Sequence, residues 1–126
     1  MEQALRVLVV DDEPLLVRAI VRLLTRAGIE ARGAEDGRYA LAALDAGTFD
    51  LVLCDVRMPV MDGPALLGAL RARPHAPPLV FLTGYGDRSD QELLALGALA
   101  VYGKPMDGQA LLDVVRSAAR GSARPG

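Results

Sequence analysis

The polar residues of this sequence that could carry chemistry each stand at the end of a short apolar run. They are, in chain order, Asp11 with Asp12, Asp55, Thr83 and Lys104. Neighbouring carboxylates repel one another unless they share a proton or a cation. Hard divalent cations prefer oxygen ligands, and Mg²⁺ typically takes one or two carboxylates and keeps several waters. An aspartate beside Mg²⁺ and an ammonium group is equipped to accept a phosphoryl group, because both cations neutralise the transferring oxygens.

The alternation of apolar runs with helical periodicities predicts how these residues are positioned. Strands are predicted at residues 6–10, 30–34, 51–54, 79–82 and 99–102, the second of them at an edge of the sheet. Helices are predicted to begin near Pro14, Gly37, Pro64, Ser89 and Asp107, and the last is predicted to run to about Ala119. Five such units in a row predict an α/β fold, a doubly wound five-stranded parallel sheet with helices on both faces. Ligands of such sheets bind outside the carboxyl ends of the strands.

Composition excludes several classes of protein. The chain has 126 residues, enough for one domain, and its net charge of -2 and 4% aromatic content argue against a nucleic-acid-binding surface. A single cysteine allows no intramolecular disulfide. Neither a transmembrane run nor a signal peptide is recognisable. We therefore expect a cytoplasmic protein with no membrane contact and no direct nucleic acid binding.

Lys104 is the only lysine among 14 basic residues. Lysine carries a compact ammonium, whereas arginine carries a broad planar fork, so a single lysine is kept where a compact cation is needed. Arginine-biased codon usage explains the same count, and composition alone does not separate the two explanations.

The sequence closely resembles the receiver domain of two-component response regulators. Five motifs spread over residues 5–119 carry the resemblance: VVDDE at 9–13, DVRMP at 55–59, MDG at 61–63, TG at 83–84 and KP at 104–105. Any one of them is a weak signal, but their spacing on one fold is a strong one. The resemblance implies a flavodoxin-like sheet with strand order 2-1-3-4-5 and five helices.

The resemblance also implies roles for the site residues. Asp55 is the phosphoacceptor, and Thr83 and Lys104 contact the phosphoryl group. Mg²⁺, the one cofactor implied, is held by Asp11, Asp12, Asp55 and the backbone carbonyl of Arg57.

The implied function is signal relay rather than metabolic catalysis. A histidine kinase or phosphotransfer protein donates the phosphoryl group, and a downstream output protein or domain responds. The domain supplies catalytic groups only for its own phosphorylation and dephosphorylation. Residues 1–120 are predicted to form the receiver domain and residues 121–126 a flexible tail or truncated linker. Homodimer formation is left open.

One position departs from the family pattern. Most receivers carry an aromatic residue three positions before the lysine, and that ring swings inward after phosphorylation. Here the position is Val101, and the aromatic residue is Tyr102, which a regular strand turns to the opposite face. The switch candidates are therefore Thr83, Val101 and Tyr102.

Two alternative functions remain. The same fold serves as a phosphate-independent interaction module, which Mg²⁺-dependent labelling by a small phosphodonor would exclude. An aspartyl-nucleophile hydrolase is the other alternative, but it usually carries a second aspartate two residues after the nucleophile, where this chain has Arg57.

Overall fold

Five strands and five helices alternate along the chain in the computed structural model, which describes residues 4–84, 89–104 and 106–122, with side chains up to residue 119. The strands are β1 (Arg6–Val10), β2 (Glu30–Ala34), β3 (Leu51–Cys54), β4 (Leu79–Thr83) and β5 (Ala100–Gly103). The helices are α1 (Pro14–Arg26), α2 (Gly37–Ala46), α3 (Gly63–Arg71), α4 (Asp90–Ala95) and α5 (Gly108–Ser122). All strand pairs are parallel and the order is β2-β1-β3-β4-β5, which confirms the predicted doubly wound fold.

The sheet separates two apolar clusters. Alternate residues of each strand face opposite sides, so Val9 packs on the side of α1 and α5, whereas Val10 packs on the side of α2, α3 and α4. Strands β1, β3 and β4 are buried on both faces, which explains why each reads as a continuous apolar run. Among the described helices, none is both long and apolar enough to cross a membrane.

The helix boundaries follow local capping chemistry. Asp36 and Asp62 accept backbone N–H bonds at the starts of α2 and α3, and Ser89 forms a capping box with Glu92 at the start of α4. Gly97 follows α4 with a φ of +116°, a left-handed conformation that glycine adopts without steric cost.

Some predicted boundaries differ from the observed ones by one to three residues, among them the end of β4, which lies at Thr83. Strand β5 begins and ends one residue later than predicted, because its register on β4 pairs Thr83 with Gly103. Helix α5 continues to Ser122, so the first two residues of the predicted tail at 121–126 are helical, and residues 123–126 lie outside the described part of the chain. Helix α5 thus continues three residues past Ala119, the last buried side chain that is described in it.

Candidate functional site

Three aspartates meet at the carboxyl edge of the two central strands. Asp11 and Asp12 follow β1 and Asp55 follows β3, and the Asp55 N–H donates to the carbonyl of Val10 at 2.9 Å. A carboxylate oxygen from each aspartate lies within 4.8 Å of the others. Asp11 is buried, Asp55 is half-buried and Asp12 is exposed. The parallel register of neighbouring strands therefore brings residues 44 positions apart in sequence into one cluster.

Lys104 places its ammonium group in the middle of the acidic cluster. Its Nζ lies 2.6 Å from Asp11 Oδ2, 3.5 Å from Asp55 Oδ2 and 3.7 Å from Glu13 Oε1. The Lys104 backbone N–H donates to the carbonyl of Thr83 at 2.9 Å, so the end of β4 fixes where the lysine leaves the sheet. One cation thus contacts three carboxylates contributed by two strand ends.

The pKa values of the site reflect this crowding. Burial raises the pKa of Asp55, the charge of Asp11 raises it further, and the nearby Lys104 ammonium only partly opposes both effects. Burial alone would lower the pKa of Lys104, but the hydrogen bond to Asp11 and the charges of Asp11, Asp55 and Glu13 raise it above the usual value. The lysine therefore remains a cation at neutral pH, and the carboxylates exceed it in charge.

The three aspartates fit a Mg²⁺ ion by their chemistry. Asp11 already accepts the Glu13 N–H on Oδ1 at 3.0 Å and the Lys104 ammonium on Oδ2. Asp12 is exposed and accepts no hydrogen bond from the described residues, so its carboxylate is open to a cation. An all-oxygen donor set with excess negative charge is the kind that Mg²⁺ takes. The carbonyl of Arg57 as a further ligand stays a prediction.

The loop after Asp55 passes close to the backbone of that residue. The Gly63 N–H donates to the carbonyl of Val56 at 2.8 Å, and the Val56 N–H donates to Asp55 Oδ1, also at 2.8 Å. A Cβ atom at Gly63 would stand 2.4 Å from the Asp55 carbonyl oxygen and 2.6 Å from the ring of Phe81. Glycine is thus required here so that α3 can begin directly beside Asp55.

The predicted switch residues lie on neighbouring strands. Thr83 is the last residue of β4, next to β3, and contact of its hydroxyl with a phosphoryl group stays a prediction. Val101 packs into the cluster on the side of α2, α3 and α4. Tyr102 lines a cavity with Val80 and Val114 on the side of α5 and is 38% exposed. Strand alternation therefore places the two β5 residues on opposite faces of the sheet, as the sequence predicts.

Sequence reasoning missed two groups at the site. Glu13 reaches the Lys104 ammonium, and the signal for it was the third acid in the run at 11–13. The Val56 N–H holds Asp55 Oδ1, which no residue type could have indicated because it is a backbone group. The buried Cys54 serves packing: its thiol donates to the Asp55 carbonyl at 3.1 Å, and burial raises its pKa well above the ordinary thiol value.

The fold and the site together define a protein of two-component signal transduction. Residues 7–116 match the family described as response regulator receiver domain, and the chain belongs to that family.

Its relatives include known regulators of bacteria. The chain is 40% identical over 121 residues to the response regulator protein FleR of Pseudomonas aeruginosa, covering 94% of this chain and 25% of FleR. It is 39% identical over 122 residues to the transcriptional activator protein IrlR of Burkholderia pseudomallei, covering 95% of this chain and 53% of IrlR. The chain thus spans between a quarter and about half of the length of these two relatives.

Solved structures show the same fold. A CheY-like receiver domain protein from Methanospirillum hungatei superposes with a TM-score of 0.88 at 28% identity, covering 98% of this chain and all of that one. The response regulator TrrA of Thermotoga maritima, solved with Mg²⁺ and BeF, has a TM-score of 0.80 at 30% identity and covers 90% of this chain and 97% of TrrA.

Proposed function

We propose that Asp55 accepts a phosphoryl group from a phosphohistidine of a histidine kinase or phosphotransfer protein. The observation that carries this proposal is the position of its carboxylate, 3.5 Å from the only lysine of the chain and within 4.8 Å of Asp11 and Asp12. The proposed cellular setting is the cytoplasm.

The two oxygens of Asp55 have different surroundings. Oδ1 accepts the Val56 N–H, whereas the one contact of Oδ2 with the described residues is the longer one to Lys104. Oδ2 is therefore the nucleophile: it forms a bond to phosphorus as the phosphorus–nitrogen bond of the donor breaks, and the electron pair returns to the imidazole ring. The Lys104 ammonium stabilises the negative charge on the phosphoryl oxygens. Mg²⁺, when bound by Asp11, Asp12 and Asp55, supplies further positive charge to the same oxygens.

Phosphorylation would then be relayed through Lys104 and Thr83. The new phosphoryl oxygens compete with Asp11 for the ammonium, because they carry more charge than a carboxylate. The Lys104 backbone N–H donates a hydrogen bond to the Thr83 carbonyl. A shift of the lysine backbone would therefore also displace the end of β4. A downstream protein or domain reads that change, and the relatives named as transcriptional regulators suggest an output in gene control.

Phosphorylation by a small donor tests this function directly. Phosphoramidate, which carries a phosphorus–nitrogen bond like phosphohistidine, is added with Mg²⁺ and the intact mass is followed. We expect one phosphoryl group on the parent chain, none on Asp55→Asn, and one on the matched control Asp90→Asn, which alters an exposed aspartate of α4.

Equal phosphorylation of Asp55→Asn and the parent would overturn the assignment. No mass gain in the parent would favour the phosphate-independent interaction module. Steady turnover of a small phosphoester would favour the hydrolase.

A further inference from the structure

Helix α1 carries a row of arginines with no acidic residue among them. Arg18, Arg22 and Arg26 are the only charged residues of Pro14–Arg26, and their spacing of four places them along one side of the helix. All three are exposed, and none takes part in an ion pair with another residue in the described part of the chain. Like charges at this spacing destabilise a helix, so a partner that neutralised them would recover that loss.

The arginine row borders an open groove at the edge of the sheet. The groove has a volume of about 630 Å³ and runs between α1 and β2, with Val17, Val21 and Gly33 among its lining residues. Strand β2 is the outermost strand and pairs with β1. A Cβ atom at Gly33 would stand 2.4 Å from Val17 Cγ1, so the helix lies close against the strand at this point. The groove therefore has an apolar base, to which Val17 and Val21 contribute, and the arginine row lines it beside an edge strand of the sheet.

We propose that this groove binds an extended acidic segment of another protein, with its carboxylates facing Arg18, Arg22 and Arg26. Four residues of helix rise about 6 Å. Two residues of extended chain span about 6.8 Å, so carboxylates at every second position of the segment match the arginine row. The guanidinium fork is suited to carboxylates, which it binds through two parallel hydrogen bonds. The outer edge of β2 offers backbone groups to which an added strand can pair.

The surface favours an acidic polypeptide over a nucleic acid. No aromatic side chain lines the groove in the part of the chain that the structure describes, so these residues offer no platform for base stacking. The chain as a whole has a net charge of -2, which would repel a long polyanion beyond the three arginines. This site is separate from Asp55 and does not depend on the phosphoryl chemistry.

Two short peptides of identical composition test the proposal. In one, three glutamates alternate with valines, and in the other the three glutamates are adjacent. Backbone amide shifts in NMR titrations report where each peptide binds. We expect the alternating peptide to shift the amides of β2 and α1, to bind more tightly than its isomer, and to bind more weakly as salt is added.

A pair of single substitutions provides the matched control. Arg22→Gln removes a positive charge from the groove. Arg32→Gln also removes a positive charge, but from the opposite face of β2, which is the face that carries Ala34. Arg22→Gln is expected to weaken binding about two- to fivefold, and Arg32→Gln to leave it unchanged. Thermal unfolding confirms that both variants are folded.

Three results would overturn the proposal. The first is the absence of shifts in β2 at millimolar concentrations of the alternating peptide. The second is an equal loss of affinity in Arg22→Gln and Arg32→Gln, which would indicate attraction by net charge alone. The third is tighter binding of a single-stranded oligonucleotide than of the peptide, with the same dependence on Arg22, which would identify a nucleic acid surface.

Discussion

At the scale of single residues, the site is organised by one ammonium group. Lys104 contacts Asp11 more closely than Asp55, at 2.6 Å against 3.5 Å. The lysine therefore mainly neutralises Asp11, and under the proposed function it has only a short distance to move to reach a group attached to Asp55. Its side chain is only 18% exposed, so a bulkier cation has little room beside the carboxylates.

Lys104→Arg tests the need for a compact cation. The planar guanidinium keeps the charge but cannot contact Asp11, Asp55 and Glu13 from one point as the ammonium does. We expect the initial rate of phosphorylation by phosphoramidate to fall at least about tenfold, which corresponds to about 1.4 kcal/mol of transition-state stabilisation. The control Arg32→Lys exchanges the same two residue types on exposed β2 and should leave the rate unchanged. An undiminished rate in Lys104→Arg would show that charge alone suffices.

At the scale of the elements, the carboxyl ends of the parallel strands bring the site together. Asp55 directly follows β3, and α3 begins eight residues later. The close approach of Gly63 to the Asp55 carbonyl makes this connection possible. The loop and the first turn of α3 therefore help to position Asp55.

Two glycine-to-alanine substitutions in α3 distinguish the steric effect of an added Cβ on stability from the effect of a higher helix propensity. Gly63→Ala places a Cβ against the Asp55 carbonyl and the Phe81 ring, and should lower the free energy of unfolding by about 1–3 kcal/mol. Gly68→Ala, in the same helix, has no atom within 4 Å of the added Cβ and should raise it by about 0.5–1 kcal/mol. Denaturant unfolding measures both. If Gly63→Ala had the same free energy of unfolding as the parent, the loop would be shown to adjust to the added Cβ without loss of stability.

The strand β5 determines what kind of switch is available. Val101 is short and stiff about χ1, and Tyr102 faces α5 rather than the end of β4 that Thr83 occupies. We therefore expect Mg²⁺ and beryllofluoride, a mimic of the aspartyl phosphate, to change the residues from Thr83 to the start of α4 and to leave the Tyr102 rotamer in place. Crystal structures with and without the mimic provide the measurement. A Tyr102 ring found beside Thr83 in the activated form would contradict this expectation.

The elements were predictable from the sequence because burial leaves a simple pattern. Strands that are covered on both faces have continuous apolar runs in their sequence. The capping-box pattern of Ser89 and Glu92 correctly predicted where α4 begins. The site was predictable as a set of residues, since parallel strands end at one edge. The contacts within the site could not be predicted from the sequence. Lys104 lies closer to Asp11 than to Asp55 because of side-chain packing between residues 93 positions apart. The end of α5 was missed because no sequence signal stops the helix at Ala119.

At the scale of the whole molecule, the acidic cluster links metal binding to stability. A carboxylate oxygen from each of Asp11, Asp12 and Asp55 lies within 4.8 Å of the others, and of these three the Lys104 ammonium contacts Asp11 and Asp55. We therefore expect their repulsion to oppose folding until a further cation arrives. Binding of Mg²⁺ to the folded chain alone would stabilise it by mass action. The protein is accordingly expected to be less stable without Mg²⁺ than with it.

Thermal unfolding with increasing Mg²⁺ measures this link. At a concentration one hundred times its dissociation constant, Mg²⁺ should raise the free energy of unfolding by about 2.7 kcal/mol. Asp12→Ala should lose most of this gain because it removes an open ligand, and should be more stable than the parent without metal because it relieves repulsion. Glu35→Ala, which removes an exposed acid elsewhere, should retain the gain. Equal stabilisation of Asp12→Ala and the parent would place the metal at another site.

The identity of the phosphorylated residue is the central claim, and chemical trapping tests it most directly. Borohydride reduces an aspartyl phosphate to homoserine. Homoserine survives digestion of the protein with a protease, and the peptide that contains it is recognised by mass because homoserine is lighter than aspartate. After treatment with phosphoramidate and Mg²⁺, the account predicts homoserine at position 55 and at no other position, and none when Mg²⁺ is removed by chelation. Homoserine at position 11 or 12, or its absence from a chain that has gained a phosphoryl group, would contradict it.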